Sequence, residues 1–326
     1  MNLYRGMEFN LRSVSTEAKE RDFDVIIIGA GAAGFSAAVY ASRSGLSAVI
    51  LDKNVAGGLT AEAPLVENYL GFKSIVGSDL AKNFAEHASE YASIREGVEV
   101  KSVKKGDGGF IVDTSDGEYH SKYIIITTGT THKHLGVKGE AEYFGKGVSY
   151  CSTCDGYLFK NKNVVTIGGG NSGAIAAISM SEYVKNATIV EYMPRYMCEN
   201  AYIEEIKKRK IPYIMNAQVT EIVGDGKKVT GVKYKDRSSG EEKTLPADGV
   251  FVYVGLIPQT SFLKDSGVKL DERGYIIVDG RQRTNVPGIY AAGDVTSGSF
   301  AQIASAVGDG CKAALSLYSD TISSKK

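Results

Sequence analysis

Two stretches of the chain share one arrangement of apolar, small and polar positions. The first begins at Asp22 and reads DFDVIIIGAGAAGFSAAVYASRSGLSAVILDK, and the second begins at Asn161 and reads NKNVVTIGGGNSGAIAAISMSEYVKNATIVEYM. Each contains a short β-branched run, a glycine cluster, a run of small residues and a second apolar strand, which together predict a strand-helix-strand unit. The two stretches align residue by residue without a gap, so the chain contains the same unit twice.

Both units carry the Gly-x-Gly-x-x-Gly pattern of a dinucleotide-binding loop, followed by an acid at the end of the second strand. The pattern residues are Gly29, Gly31, Gly34 and Asp52 in the first unit and Gly168, Gly170, Gly173 and Glu191 in the second. The first glycine permits a tight turn, the second lets the backbone approach a pyrophosphate, and the third lets helix and strand pack closely. The helix N-terminus then stabilises the phosphate charge. We therefore predict an α/β fold with two Rossmann-like, three-layer dinucleotide-binding domains.

Further strands are predicted outside the two units, at Gly109–Asp113, Glu118–Ile126, Lys228–Tyr234 and Gly249–Val254. The tail from Gly274 supplies strands, the sequence VPGIYAAGDV and a small-residue helix from Gln302 to about Tyr318. We assign this tail to the first domain, so that the second domain is inserted into the first. The predicted division is an N-terminal extension at 1–20, a first domain at 21–133 and 259–326, and a second domain at 134–258.

Composition narrows the class of protein. A chain of 326 residues, 43% of them hydrophobic, suits two globular domains. Its 38 basic and 38 acidic residues cancel, so we expect no nucleic-acid partner. No apolar run approaches the length of about 20 residues that crosses a bilayer, and charges interrupt residues 1–21 where a signal peptide would need an apolar core. We expect a cytoplasmic protein without a membrane span.

The candidate chemistry lies in Cys151-Ser152-Thr153-Cys154, between the two units. Two intervening residues let the thiols close a small disulfide ring, and a thiolate formed at neutral pH would be nucleophilic. Asp155 follows the second thiol directly and could either transfer a proton to a departing thiolate or cap the next turn. Zinc is the main alternative use of this spacing, but Cys198 and Cys311 are single and supply no second half of a zinc site. We therefore expect redox chemistry and no metal.

Other candidates have simpler interpretations. Cys198 and Cys311 are expected as buried small hydrophobic residues, and 132–134 (His-Lys-His) as a solvated loop. Leu80, Phe84, His87 and Tyr91 share helical spacing, so His87 is expected to be a partly buried residue of that helix face rather than a catalyst.

A chain with two such folds usually holds two nucleotides, and the AAGDV segment near the C-terminus suggests that one of them is FAD. Asp294 would then lie at the ribityl and phosphate portion of the flavin, and Gly293 would give backbone access. Asp52 would bind a ribose hydroxyl of the same cofactor.

The order of the motifs GAGAAG, AGGLT, ENYLGF, TTGT, CSTCDG, GGGNSG, VPGIYAAGDV and AQIASA resembles that of low-molecular-weight thioredoxin reductase. The resemblance covers nearly the whole chain from about residue 22. Its most specific part is CSTCDG between the two glycine patterns, since related disulfide reductases carry their cysteines near the first pattern. The resemblance implies a homodimer with FAD and pyridine-nucleotide domains that reduces the disulfide of a thioredoxin-like protein.

The same resemblance implies roles for individual residues. Cys154 would face the flavin, Cys151 would attack the partner's disulfide, and Asp155 would be the acid and base. The implied FAD-binding residues are Gly29, Gly31, Ala32, Ala33, Gly34, Asp52, Lys53, Gly57, Gly58, Leu59, Thr60, Asn68, Thr128, Gly129, Gly293, Asp294, Ala301, Gln302 and Ile303. The second dinucleotide site would comprise Gly168, Gly170, Asn171, Ser172, Gly173 and Glu191.

One part of the family pattern is missing from this chain. NADPH-dependent members have a His-Arg-Arg run followed by a further arginine, whereas 191–197 read EYMPRYM, with Arg195 as the only nearby cation, and Ile175 and Ala176 replace acidic residues near the nicotinamide. A 2′-phosphate needs cationic donors and would meet Glu191 here. NADPH is therefore a poor fit. NADH suits Glu191 better, and a third alternative is another reductant feeding the flavin while the second fold binds no nicotinamide.

Two other functions stay open. The chain could serve as the NADH-driven reductase of a peroxide-defence system, although about 20 residues before the first strand cannot supply the thioredoxin-like N-terminal domain usual in that group. It could also be a flavin redox sensor without catalysis, although sensing alone does not require Asp155.

Overall fold

The structure is a computed structural model that describes residues 21–63 and 66–323, with the backbone alone for Thr153 and Cys154. The expected extension at residues 1–20 lies outside the described residues. Among the described residues, no helix is both long enough and apolar enough to span a bilayer.

The first part of the chain forms a sheet with helices packed on it. Its elements are β1 (Asp22–Ile28), α1 (Ala32–Arg43), β2 (Ala48–Leu51), α2 (Leu59–Glu62), α3 (Gly77–Ser89), β3 (Ser93–Arg95), β4 (Val100–Gly106), β5 (Gly109–Thr114), β6 (Gly117–Ile126) and β7 (Thr130–His132). The strand order is β3-β2-β1-β6-β5-β4, with parallel pairs on the β3 side and antiparallel pairs at β6-β5-β4. The β1-α1-β2 unit is therefore the predicted one.

The second part repeats this arrangement. Its elements are β8 (Val148–Ser149), α4 (Ser152–Asp155), β9 (Asn163–Ile167), α5 (Asn171–Met180), β10 (Asn186–Val190), α6 (Asn200–Lys208), β11 (Tyr213–Ile214), β12 (Ala217–Gly224), β13 (Val229–Asp236), β14 (Glu242–Pro246), β15 (Gly249–Val252) and β16 (Leu256–Pro258). A parallel sheet has the order β11-β10-β9-β15-β8, and β12-β13-β14 form an antiparallel sheet beside it.

The chain then returns to the first sheet. β17 (Ile289–Ala291) pairs in parallel with the end of β6, and α7 (Ile303–Ser323) packs on α1 so closely that a Cβ added at Gly310 would lie 2.1 Å from the Ala33 carbonyl oxygen. The two passages between the sheets run side by side, because β7 and β16 pair antiparallel. The boundaries expected near 133 and 259 fall beside these strands, and the domain division at those residues remains a prediction.

Alternation along β1 explains the layers. Val25 and Ile27 are buried in a cluster with α1 and α7, whereas Ile26 and Ile28 are buried in a second cluster on the opposite face of the sheet. Side chains of a strand alternate between faces, so a strand buried on both faces needs apolar residues at every position. The predicted α/β class, with two Rossmann-like folds, is confirmed.

Some predicted bounds differ from those observed. The last helix continues to Ser323, beyond Tyr318. The strand expected over Gly249–Val254 ends at Val252, shortly before Gly255, where φ is +120°. The tail contributes the single named strand β17 among its described residues.

Candidate active site

The first glycine loop packs so closely against neighbouring backbone that two of its positions have no room for a side chain. A Cβ added at Gly34 would lie 2.0 Å from the Gly29 carbonyl oxygen, and one added at Gly29, where φ is +112°, would lie 2.4 Å from that of Thr127. Gly31 differs, because no atom of the described residues lies within 4 Å of its Cβ position. The loop therefore packs tightly at its two ends and leaves the backbone at Gly31 accessible to a ligand.

Asp52 is fixed at the end of β2 by this loop. Its carboxylate accepts the backbone N–H of Ala30 at 2.7 Å and that of Asn54 at 2.8 Å. The acid predicted from the sequence is thus held in one orientation beside the glycine loop. In a dinucleotide fold this is the position that binds a ribose hydroxyl.

A cavity of about 880 Å³ opens in front of the first loop. Its volume lies within the range of about 300 to 1,000 Å³ usual for ligand pockets. Most of the residues expected to bind FAD line it, namely Gly31, Ala32, Ala33, Asp52, Gly58, Leu59, Thr60, Asn68, Thr128, Gly129, Asp294, Ala301, Gln302 and Ile303. Segments from both ends of the chain therefore converge on one cavity.

The other expected FAD residues lie outside the lining. Gly29, Gly34, Gly57 and Gly293 lie at close packing contacts, where an added Cβ would come within 3.0 Å or less of a neighbouring atom. Lys53 is exposed, and its Nζ donates to Gln259 Oε1 at 3.2 Å. For these glycines the structure shows a packing reason for the residue type.

Gln302 and Asp294, from the C-terminal part of the chain, complete the wall of the cavity. Asn68 Nδ2 donates to Gln302 Oε1 at 3.0 Å, which joins the loop after α2 to the start of α7. Ser299 Oγ donates to Asp294 Oδ1 at 3.2 Å, and burial raises the pKa of the Asp294 carboxyl above its ordinary value. Removal of water from a carboxylate disfavours its charged form. The hydrogen bond from Ser299 offsets only part of this effect at Asp294.

The cysteine turn is anchored by backbone contacts. Cys151 is disulfide-bonded, and its backbone N–H donates to Ser149 Oγ at 3.0 Å. The N–H of Asp155 donates to the Cys151 carbonyl at 3.1 Å, which closes the single turn of α4. Tyr150, directly before Cys151, lines the cavity, so the turn adjoins it. The side chain of Cys154 lies outside the described residues.

The second glycine loop has the same geometry as the first. A Cβ added at Gly173 would lie 2.0 Å from the Gly168 carbonyl oxygen, and none of the described residues comes within 4 Å of the Cβ position of Gly170. Glu191 is buried, and its carboxylate accepts the N–H of Gly169 at 2.6 Å and that of Met193 at 2.7 Å. Asn171 and Ser172 also line the cavity in front of the first loop.

A cation that the sequence did not indicate lies against Tyr192, the residue after Glu191. The Arg237 guanidinium carbon is 3.9 Å from the Tyr192 ring centroid, and Nη1 donates to the Tyr192 carbonyl at 3.1 Å and to Asn216 Oδ1 at 3.2 Å. The expectation that Arg195 is the only nearby cation is therefore wrong. Arg237 follows β13, and no local pattern links it to the end of β10.

His132 and His87 differ from expectation, whereas His134 lies in the exposed segment expected for it. His132 is not in a solvated loop, because β7 pairs with β16 and its ring is half-buried against the cavity, with Nε2 2.9 Å from Glu62 Oε2. His134 is exposed, with Nδ1 2.6 Å from the Tyr150 hydroxyl. His87 is exposed rather than partly buried, because it faces outward from α3 against the Tyr91 ring.

The two single cysteines are only half-buried. Among the cysteines whose side chains are described, Cys198 and Cys311 are free thiols. Both are therefore less buried than expected. Cys198 lies between β10 and α6, where it packs as a partly buried residue against a core cluster formed by α5, β10 and α6.

The fold and the paired glycine loops are those of a large enzyme family. A family model described as pyridine nucleotide-disulphide oxidoreductase matches residues 23–310, and the chain belongs to this family. Within it the chain is similar to thioredoxin reductases, which confirms the resemblance drawn from the motifs. It is 42% identical over 294 residues to the thioredoxin reductase of Listeria monocytogenes, covering 90% of this chain and 92% of that protein.

The chain is also similar to two further proteins. The crystal structure of T. acidophilum thioredoxin reductase has 84% sequence identity and a TM-score of 0.92, covering 93% of this chain and 100% of that one. A component of the alkyl hydroperoxide reductase of Staphylococcus aureus is 40% identical over 299 residues, which are 91% of this chain and 58% of that protein.

Proposed function

We propose that the chain is an FAD-dependent thioredoxin-disulfide reductase. The observation that carries the proposal is the cavity in front of the first glycine loop, whose wall includes Tyr150, the residue before the disulfide-bonded Cys151. One cavity thus borders both the nucleotide loop and the cysteine turn. The similarity to the Listeria monocytogenes thioredoxin reductase over nearly the whole of both proteins supports the same activity.

The residues of the cavity fit FAD. The open backbone at Gly31 suits the pyrophosphate, and the fixed carboxylate of Asp52 suits a ribose hydroxyl. Asp294 and the backbone of Gly293 would hold the ribityl and phosphate portion, since Asp294 lines the same cavity. Once reduced by the electron donor, bound flavin would supply the two electrons that, with two protons, convert the Cys151 disulfide to a dithiol.

The dithiol would then act on a thioredoxin-like partner. Cys151, as a thiolate, attacks one sulfur of the partner's disulfide, and the partner's other sulfur leaves as a thiolate. Cys154 attacks the resulting mixed disulfide, which restores the internal disulfide and releases the reduced partner. Asp155, in the same turn as both cysteines, supplies and recovers the proton. Two electrons and two protons pass to the partner in each cycle.

The electron donor is proposed to be NADH rather than NADPH. A 2′-phosphate at the end of β10 would lie beside the buried Glu191 carboxylate, whereas an unsubstituted ribose could donate to it. Arg237 weakens this argument, but its Nη1 is already bound to the Tyr192 carbonyl and to Asn216. If neither nucleotide reduces the flavin, another reductant feeds it.

The peroxide-defence alternative draws on one observation, the 40% identity to the component of the Staphylococcus aureus alkyl hydroperoxide reductase. This chain spans 58% of that relative, so the match does not carry over the activity of the whole protein. A homodimer and a cytoplasmic location, both implied by the thioredoxin reductase resemblance or expected from composition, remain predictions.

One experiment tests these proposals together. The purified protein is titrated anaerobically with NADH, NADPH and dithionite while the flavin absorbance is followed, and the reduced enzyme is then mixed with an oxidised bacterial thioredoxin. Bleaching followed by reduction of thioredoxin supports the reductase. A reduced flavoprotein that leaves thioredoxin oxidised contradicts it, and the redox sensor then becomes the better explanation.

A further inference from the structure

Tyr253 touches both the second glycine loop and the cysteine turn. Its backbone continues from β15, where its N–H donates to the Ile167 carbonyl at 2.7 Å. Its own carbonyl oxygen would lie 2.1 Å from a Cβ added at Gly168. The main chain of Tyr253 is therefore held against the first residue of the second glycine loop.

The side chain reaches in the other direction, to the residue after Cys151. The Tyr253 hydroxyl accepts the backbone N–H of Ser152 at 3.1 Å and donates to Ser152 Oγ at 2.9 Å. Ser152 is buried. Burial raises the pKa of the Tyr253 hydroxyl, so the group stays protonated at neutral pH and keeps its donor role.

The opposite side of Cys151 is held as well. Ser149 Oγ accepts the Cys151 N–H at 3.0 Å and donates to the Cys151 carbonyl at 3.2 Å. The cysteine backbone thus lies between two hydroxyl groups, one from β8 and one from the residue after β15. These two strands are neighbours in the second sheet, so their relative position is fixed by the pairing of Val250 with Val148.

The first fold shows that the glycine loop does not need this tyrosine. Thr127 occupies the corresponding position, with its carbonyl oxygen 2.4 Å from a Cβ added at Gly29. Its hydroxyl donates at 2.8 Å to the Gly29 carbonyl of its own loop. The second fold closes its loop with the same main-chain contact but sends a longer side chain outward to Ser152. A role outside the loop therefore accounts for the tyrosine.

The ring of Tyr253 is oriented by its surroundings. His132 packs edge-to-face on it, with ring centroids 6.1 Å apart and an interplanar angle of 89°. The ring also packs against the cluster of Phe251 and Met180. The hydroxyl therefore points to Ser152 in a defined direction. Forming the two hydrogen bonds then costs the tyrosine side chain less conformational entropy.

We propose that Tyr253 is a positioning residue for disulfide exchange, holding the Cys151 turn in its disulfide geometry through Ser152. The proposal rests on the proposed reductase function for its consequence, but not for its test. Because the two hydrogen bonds are formed in the disulfide form, they favour that form over the dithiol. They also fix the direction from which Cys151 meets a partner's disulfide.

The test compares Tyr253→Phe, Ser152→Ala and the double variant of the FAD-loaded protein. Each is equilibrated with mixtures of reduced and oxidised dithiothreitol, quenched in acid and alkylated, and the added labels are counted by mass. The exchange transfers two electrons and two protons from dithiothreitol to the Cys151 disulfide. Cys198 and Cys311 are free thiols and give a constant background.

Tyr253→Phe is expected to shift the equilibrium about tenfold toward the dithiol, taking about threefold for each lost hydrogen bond. Ser152→Ala, which keeps the backbone N–H, is expected to shift it about threefold. The double variant should match Tyr253→Phe alone, because both hydrogen bonds of the hydroxyl go to Ser152. Exchange of the pre-reduced variants with oxidised bacterial thioredoxin should slow about tenfold for Tyr253→Phe.

Tyr143→Phe is the matched control. Tyr143 is a buried tyrosine of the same fold whose hydroxyl accepts the backbone N–H of Gly226 at 3.2 Å, away from the cysteine turn. An equilibrium in Tyr253→Phe equal to that in Tyr143→Phe, or additive effects in the double variant, would overturn the proposal. Failure of the parent protein to reduce thioredoxin would overturn the proposed function instead, because the dithiothreitol equilibrium is measured without turnover.

Discussion

The guanidinium group of Arg237 lies flat against the ring of Tyr192, 3.9 Å from its centroid. The contact lies at the end of β10, next to the buried carboxylate of Glu191. Arg237 therefore contacts the residue after Glu191, and in a dinucleotide fold Glu191 occupies the position that binds the adenosine ribose. We expect the anion to decide between NADH and NADPH, because the Nη1 of Arg237 is already engaged by the Tyr192 carbonyl and Asn216.

We predict that NADH reduces the flavin faster than NADPH. A charge-assisted contact to a phosphate contributes about 1.5 to 3 kcal/mol. The 2′-phosphate of NADPH would lack this contribution from Arg237 Nη1, because that atom is already engaged by the Tyr192 carbonyl and Asn216. Glu191→Arg combined with Tyr192→Arg should narrow or reverse the preference, measured as anaerobic flavin-reduction rates. Arg237→Ala is the control and should leave the ratio of the two rates unchanged.

The same structure shows a cost of the Glu191 substitution. The backbone N–H groups of Gly169 and Met193 donate to this carboxylate, and Glu191→Arg leaves both without their acceptor. Tyr192→Arg alone is therefore a useful second variant, because Tyr192 is half-exposed. Efficient flavin reduction by NADPH in the unaltered protein would show that the preference is wrong.

Gly31 and Gly170 offer a matched pair for locating FAD. Both precede a helix with an extended backbone, and neither has an atom of the described residues within 4 Å of its Cβ position. Gly31→Val should therefore fold, but its side chain enters the cavity and excludes the cofactor. Gly170→Val should keep its flavin. The measurement is flavin absorbance per mole of purified protein, and equal FAD content in the two variants would contradict the assignment to the first loop.

The cysteines of the turn should be essential for turnover. Cys151→Ser and Cys154→Ser are each expected to lower thioredoxin reduction by about three orders of magnitude or more, because a serine hydroxyl stays protonated at neutral pH. Cys198→Ser and Cys311→Ser serve as controls and should change turnover little, since both residues are free thiols outside the cavity lining. Full turnover in either turn variant would remove the proposed chemistry.

The sequence predicted contacts between residues that are close along the chain and missed contacts between residues that are far apart along it. The glycine loops and their acids were found because each loop and its acid lie within one strand-helix-strand unit, where spacing alone places Asp52 near Ala30. Tyr253 was missed because its partner Ser152 is 101 residues away. Such a contact depends on which strands become neighbours, and the pairing of β15 with β8 leaves no periodic signal in either segment.

The same reason explains the error at His132. Its short segment, with charged and polar neighbours, is typical of a solvated loop, and only pairing with β16 makes it a strand beside the cavity. Arg237 was missed in the same way, since 45 residues separate it from Tyr192.

The last prediction concerns Asp294, whose carboxyl pKa is raised above its ordinary value of 3.8, chiefly by burial. A raised carboxyl pKa means that the charged form is less favourable in the folded chain than in the unfolded one. The contribution of this group to stability is therefore fully present below the unfolded pKa and is lost as the pH rises through the folded pKa. Once the pH is above the unfolded pKa, this group therefore makes the protein without FAD less stable than it is in acid.

Asp294→Asn should accordingly raise the melting temperature of the flavin-free protein at neutral pH, with a gain that disappears in acid, while lowering the FAD content. The amide oxygen can still accept from Ser299, so the change removes charge and keeps the contact.

Asp320→Asn is the control of opposite sign. The Arg283 hydrogen bond lowers the pKa of Asp320, so that its contribution is present above the unfolded pKa and lost as the pH falls. Asp320→Asn should therefore lower the neutral-pH melting temperature. A gain for Asp294→Asn that does not depend on pH would show that desolvation of the carboxylate is not its cause, and unchanged FAD binding would separate Asp294 from the cofactor site.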